Sequence, residues 1–140
     1  MPKVMVIDDC QMMRTYLRRS LEKGGFEVEE WLPASAGEIL DRLQDSAPDL
    51  LLTDFSMAGV NGATVVRLAR KAAPQLPAIV LTAFRTDDME ASLLRLGAHR
   101  VCTKPITPAA LLHAVHEALT GAQGARGGFS QADSAGAPST

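Results

Sequence analysis

The stretch Leu50-Leu51-Leu52-Thr53-Asp54, followed by Phe55-Ser56-Met57-Ala58-Gly59-Val60-Asn61-Gly62, decides the fold. A short apolar run bounded by turn residues reads as a parallel strand buried on both faces. Its last residue is a carboxylate, and a loop of small residues follows. In open α/β sheets, chemistry sits in the crevice beyond the carboxyl ends of the strands. Asp54 is therefore the first functional candidate, and the question is what the other strand ends bring beside it.

Upstream, Lys3 to Ile7 is a second Val- and Ile-rich run, which ends in Asp8-Asp9. Met13, Leu17 and Leu21 recur at helical spacing, and Lys23-Gly24-Gly25 gives a basic last turn with a glycine stop. Phe26 to Trp31 is a further strand. Ser35-Ala36-Gly37-Glu38 has the capping-box pattern ahead of Ile39, Leu40 and Leu43, and Pro48 closes that helix.

Downstream, Val65, Val66, Leu68, Ala69 and Ala72 mark a third helix, closed by Pro74 and Pro77. Ala78 to Thr82 is a fourth strand. Thr86 and the acidic turn Asp87-Asp88 start a helix that Gly97 ends. Arg100 to Thr103 is a short fifth strand running into Lys104-Pro105. Thr107-Pro108 opens the last helix, with Leu111, Leu112, Val115, Ala118 and Leu119 on it. Five alternations with short connections predict a three-layer α/β/α sandwich around a five-stranded parallel sheet. Residues 1–121 form the predicted domain. Residues 122–140, rich in Gly, Ala, Ser and Gln, read as a flexible tail or the start of a linker.

The chain has 140 residues and a formal net charge of -2. That size suits one domain, and the charge argues against a phosphate-backbone binder of nucleic acid. No apolar run reaches the ~18 residues of a membrane span. Met1-Pro2-Lys3 leads directly into a strand, without a signal peptide, so the expected location is cytoplasmic. Cys10 and Cys102 read as free, semi-buried thiols.

Four strand ends now carry polar groups on one edge of the sheet: Asp8 and Asp9, Asp54, Thr82, and Lys104. Each alone has an ordinary explanation: a helix cap, a local turn, a solvated acid or lysine. Together they describe chemistry. Three carboxylates at ~4 Å repel by about 4 kcal/mol per pair at an effective dielectric of 20. Lys104 supplies one compensating charge, and Mg²⁺ suits an all-oxygen site of this kind. A carboxylate flanked by an ammonium, a hydroxyl and a divalent cation fits phosphoryl transfer onto that carboxylate, with an aspartyl phosphate as product.

With Asp8-Asp9, Asp54 and the following Met57-to-Gly62 loop, Thr82-Ala83, Leu96-Gly97-Ala98 and Lys104-Pro105 in view, the chain resembles a response-regulator receiver domain of two-component signalling. It looks like the single-domain chemotaxis-regulator type, over roughly residues 2 to 120. The resemblance implies a flavodoxin-like strand order 2-1-3-4-5. It implies Asp54 as phosphoacceptor, with Mg²⁺ held by Asp9, Asp54 and the backbone carbonyl of Ser56, and by Asp8 largely through water. Thr82, Lys104 and the Ala83 backbone N–H would stabilise the phosphoryl group, and Lys104-Pro105 would be cis. The implied donor is a histidine kinase or histidine phosphotransfer protein, and the implied output a downstream protein effector. The protein would be a monomer or a phosphorylation-dependent dimer, and a signalling domain rather than an enzyme. With that strand order, strands one and five lie roughly 14 Å apart, too far for a Cys10–Cys102 disulfide.

Two other functions compete. A haloacid-dehalogenase-type phosphatase also places Asp, Thr and Lys at strand ends, but it needs a second Asp where this chain has Ser56. A pseudo-receiver that never takes phosphate would lack an acid or the lysine. The chain also departs from the receiver pattern at Val101, where an aromatic is usual. Valine is short and stiff at χ1, so the expected switch runs through the loop after Thr82 and the fourth helix, with Phe84 and Pro105 as tuning positions. Phe84 is expected to shield an acyl phosphate from water. Arg95, His99 and Arg100 form a possible basic docking patch, and Trp31, His113 and His116 read as packing or surface residues.

Overall fold

The computed structural model describes residues 1–32 and 35–124. In chain order the elements are β1 (Lys3–Ile7), α1 (Gln11–Lys23), β2 (Glu27–Trp31), α2 (Ala36–Ser46), β3 (Leu50–Asp54), α3 (Gly62–Ala72), β4 (Ala78–Thr82), α4 (Asp87–Leu96), β5 (Arg100–Thr103) and α5 (Pro108–Gly124). The strands form one parallel sheet of order β2-β1-β3-β4-β5. This is the doubly wound flavodoxin-like order that the resemblance implies.

Strand alternation divides the core. Met5, Ile7, Leu51, Val80 and Val101 face α2, α3 and α4, whereas Val4, Val6, Leu52, Ile79 and Leu81 face α1 and α5. β3 and β4 are buried throughout because helices cover both their faces. The edge strand β2 reads Glu-Val-Glu-Glu-Trp, and its acids meet arginines from the adjoining helices. Charge on an edge strand discourages pairing with another chain. Trp31 packs against the core beneath the Arg42 guanidinium, 4.6 Å from the ring centroid. His116 lies against Phe26, with ring centroids 5.0 Å apart.

The helix ends follow local chemistry. Ser35, Asn61 and Thr86 accept from the backbone N–H three residues on, at Glu38, Thr64 and Met89. Gly97 ends α4 at φ 114 and lies under Arg70, whose Cδ would stand 2.6 Å from an added Cβ. Three details differ from the sequence reading. β2 starts at Glu27, because the Phe26 N–H still donates to the Leu21 carbonyl of α1 at 3.1 Å. α5 runs on through residues 122–124, which the sequence reading gave to the tail; Ala122 and Gln123 are good helix formers. Residues 125–140, the rest of that tail, lie outside the described residues. Cys10 is exposed rather than semi-buried, since it is the N-cap of α1; both cysteines are free.

Candidate functional site at the carboxyl edge of the sheet

Register builds the site. Ile7 pairs with Thr53, so the next residues, Asp8 and Asp54, emerge side by side. Asp54 pairs with Leu81 and Thr82 with Thr103, which brings Thr82 and Lys104 to the same rim. Alternation then separates them. Asp8, Asp54 and Lys104 continue the rows that face α1 and α5, while Thr82 continues the row of Val80, facing α3 and α4.

Carboxylate oxygens of Asp8, Asp9 and Asp54 lie within 4.8 Å of one another. Lys104 Nζ is 2.9 Å from Asp54 Oδ1 and 3.2 Å from Asp8 Oδ2. Asp8 is 1% exposed and Asp54 8%, whereas Asp9 is exposed. Asp8 is thus not a solvent-facing loop acid. Its Oδ1 accepts from the Cys10 N–H at 2.8 Å, and its carbonyl accepts from Arg14 Nη1 at 2.6 Å. Asp9 does not cap α1; its Oδ2 accepts from the Ala58 N–H at 3.2 Å and so ties β1 to the loop after β3.

That loop closes tightly. The Gly62 N–H donates to the Phe55 carbonyl at 2.7 Å, and an added Cβ on Gly62 would lie 2.9 Å from Phe55 Cα and 3.0 Å from the Asp54 carbonyl. Only glycine lets α3 begin so near the strand end. Lys104-Pro105 is cis. Ser56 and Ala83 are exposed beside the acidic cluster's strand ends.

The electrostatics is unbalanced. Burial pushes the Asp54 carboxyl above its ordinary value; the Lys104 hydrogen bond and charge pull it down, and the Asp8 and Asp9 charges push it up. Burial alone would lower the Lys104 pKa. Its hydrogen bond to Asp54 and the Asp8 and Asp54 charges outweigh that and raise it. Among the described residues, three carboxylates therefore share one ammonium, two of them directly. An all-oxygen donor set with surplus negative charge fits a hard divalent cation such as Mg²⁺.

The remaining predicted positions are more dispersed. Thr82 Oγ1 accepts from the Phe84 N–H at 3.2 Å and faces the Phe84 carbonyl at 3.4 Å, so its hydroxyl is held within its own loop. Phe84 is 82% exposed. Val101 is 2% exposed and lies in the same core cluster as Leu93 and Ala98. The basic patch is weaker than the sequence suggests, because Arg100 pairs with Glu117 at 3.1 Å. Sequence reasoning missed Arg14 beneath Asp8, Asn61 as the α3 cap and the contacts of Arg85. Of these only Asn61 carried a local signal, an Asn ahead of a helix.

Residues 4–116 match the family described as the response regulator receiver domain. The chain belongs to the response-regulator receiver family. Among curated relatives, it is 35% identical over 121 residues to the phosphate regulon transcriptional regulatory protein PhoB of Rhizobium meliloti. The match covers 85% of this chain and 52% of that protein. It is 32% identical over 100 residues to the DNA-binding transcriptional regulator NtrC of Klebsiella pneumoniae, covering 71% of this chain and 21% of the relative. The chain therefore spans about half the length of one relative and a fifth of the other. A CheY-like receiver domain from Methanospirillum hungatei superposes with a TM-score of 0.79 at 26% identity, over 88% of this chain and 97% of that one. Receivers are signalling domains rather than a classical enzyme family. Among the described residues, no helix is long and apolar enough to cross a membrane.

Proposed function

We propose that this receiver takes a phosphoryl group onto Asp54 from a histidine kinase or histidine phosphotransfer protein and signals through a protein effector. The observation that carries the reading is the three-carboxylate cluster answered, among the described residues, by a single lysine. A buried surplus of negative charge costs stability, and its natural use is to hold a dication and a phosphoryl group.

In the reaction, a deprotonated Asp54 oxygen attacks phosphorus. The new P–O bond forms as the bond to the donor breaks, and the departing imidazole keeps the electron pair. Lys104, already on Asp54, neutralises a phosphoryl oxygen. Thr82 supplies a hydroxyl once it leaves Phe84, and the Ala83 N–H completes the cradle. Asp9, Asp54 and the Ser56 carbonyl would hold Mg²⁺, whose charge would offset the carboxylates and the phosphoryl oxygens. Both Asp8 oxygens are engaged by Cys10 and Lys104, which supports its acting through water. Cytoplasmic residence follows from the kinase partner.

The test is incubation with Mg²⁺ and a small acyl phosphate, followed by intact mass. A gain of one phosphoryl group, absent in Asp54→Asn, is expected. No gain in the wild-type protein refutes the reading and favours a pseudo-receiver. Phe84→Ala is expected to shorten the phosphoryl lifetime, read from the decay of that adduct; an unchanged or longer lifetime removes the shielding role.

A further inference from the structure

The loop between β4 and α4 carries a cation that the site chemistry leaves unused. Arg85 Nη1 donates to the Val101 carbonyl on β5 at 3.4 Å, and the same guanidinium nitrogen lies 3.7 Å from Glu90 Oε2 on α4. One side chain thus reaches from the Thr82 loop to the two elements that flank it. In the same loop the Thr82 hydroxyl is occupied by Phe84. For that hydroxyl to meet a phosphoryl group on Asp54, the bond from Phe84 must break and the loop must shift. Val101, small, β-branched and buried against the α4 side, has little rotamer travel with which to follow. Arg85, 45% exposed in its side chain, has ample freedom.

We propose that Arg85 is a positioning residue acting through Thr82: its guanidinium straps the loop to β5 and α4, favouring the arrangement in which Thr82 is turned to Phe84. This rests on the reading of Asp54 as phosphoacceptor. The strap is weak by design of its geometry. Both contacts are long and one side of the guanidinium is wet, so it biases an equilibrium without locking it. A two-state loop needs a bias of that size if phosphorylation is to overturn it.

Amide hydrogen exchange on the unphosphorylated, metal-free protein tests the strap directly. In Arg85→Ala, exchange at the Phe84 amide should quicken about twofold to tenfold, the range one net hydrogen bond supports, with core amides of β3 and β4 unchanged. Arg85→Lys, which keeps the charge beside Glu90 but loses the planar fork, should restore part of the protection. Beryllium trifluoride with Mg²⁺ then reads the bias, and Arg85→Ala should bind it more tightly by a similar factor. Unchanged exchange at Phe84, a uniform quickening across the core, or unchanged or weaker beryllium trifluoride binding in Arg85→Ala each overturns the proposal. If the wild-type protein binds no beryllium trifluoride, the phosphoacceptor reading falls, and the exchange comparison alone decides the strap.

Discussion

Two groups of acidic residues in this domain, on β2 and at the carboxyl edge of the sheet, are treated in opposite ways. On edge strand β2, Glu29 meets Arg42 at 3.1 Å and Glu30 meets Arg14 at 3.3 Å, with Arg18 beside it. Every acid in those pairs has its own cation, and the pairs are partly wet. At the carboxyl edge, Asp8 and Asp54 are buried, Asp9 joins them, and one lysine serves the group. The first arrangement is self-sufficient and solvates an edge. The second is short of positive charge. That deficit separates an edge that neutralises itself from one whose proposed use is to receive a dication and a phosphoryl group.

The largest expected effect comes from removing the shared lysine. Lys104→Met should destabilise the metal-free domain by about 3 kcal/mol or more, because it strands two buried carboxylates. Arg18→Met on α1, beside the β2 edge, should cost less than about 1 kcal/mol, since Glu30 keeps Arg14 and water. Equal costs by chemical denaturation would erase the contrast. Added Mg²⁺ comes next. At ten times its dissociation constant it should contribute about 1.4 kcal/mol, raising the thermal midpoint by about 4 °C. Asp9→Asn should lose most of that shift and Glu29→Gln none of it.

pH sharpens the same contrast. Asp54 binds its proton more tightly folded than unfolded, where the ordinary value is 3.8. Its contribution therefore favours folding increasingly as pH falls from neutral through the raised value, and levels off below 3.8. Subtracting the Asp54→Asn stability profile from that of the metal-free wild type should expose this gain on acidification; a difference of opposite slope would contradict the buried-charge account. The smallest effect lies away from both clusters. Ala47, the α2 C-cap, sits at φ 47, and Ala47→Gly should stabilise the domain by about 0.5 kcal/mol. That gain calibrates the scale against which a β2-edge change is read.

Much of the architecture was legible in the chain because its signals are local. Leu50 to Asp54 and Ala78 to Thr82 are apolar runs closed by polar residues, and Ser35, Thr86 and Gly97 mark helix ends by chemistry confined to one turn. The grouping of Asp8, Asp9, Asp54 and Lys104 was legible too, since parallel strands joined by crossover helices deliver their carboxyl ends to one rim. What the sequence by itself determined was therefore the order of elements, the rim and the residue types upon it. Tertiary structure alone decided how those residues are used: that Asp8 is sealed beneath Lys104 96 residues away, that Asp9 holds Ala58 rather than α1, and that Arg85 reaches Val101. Such contacts depend on strand register and on which face a side chain leaves from, and both are set when distant segments bury their apolar rows against each other.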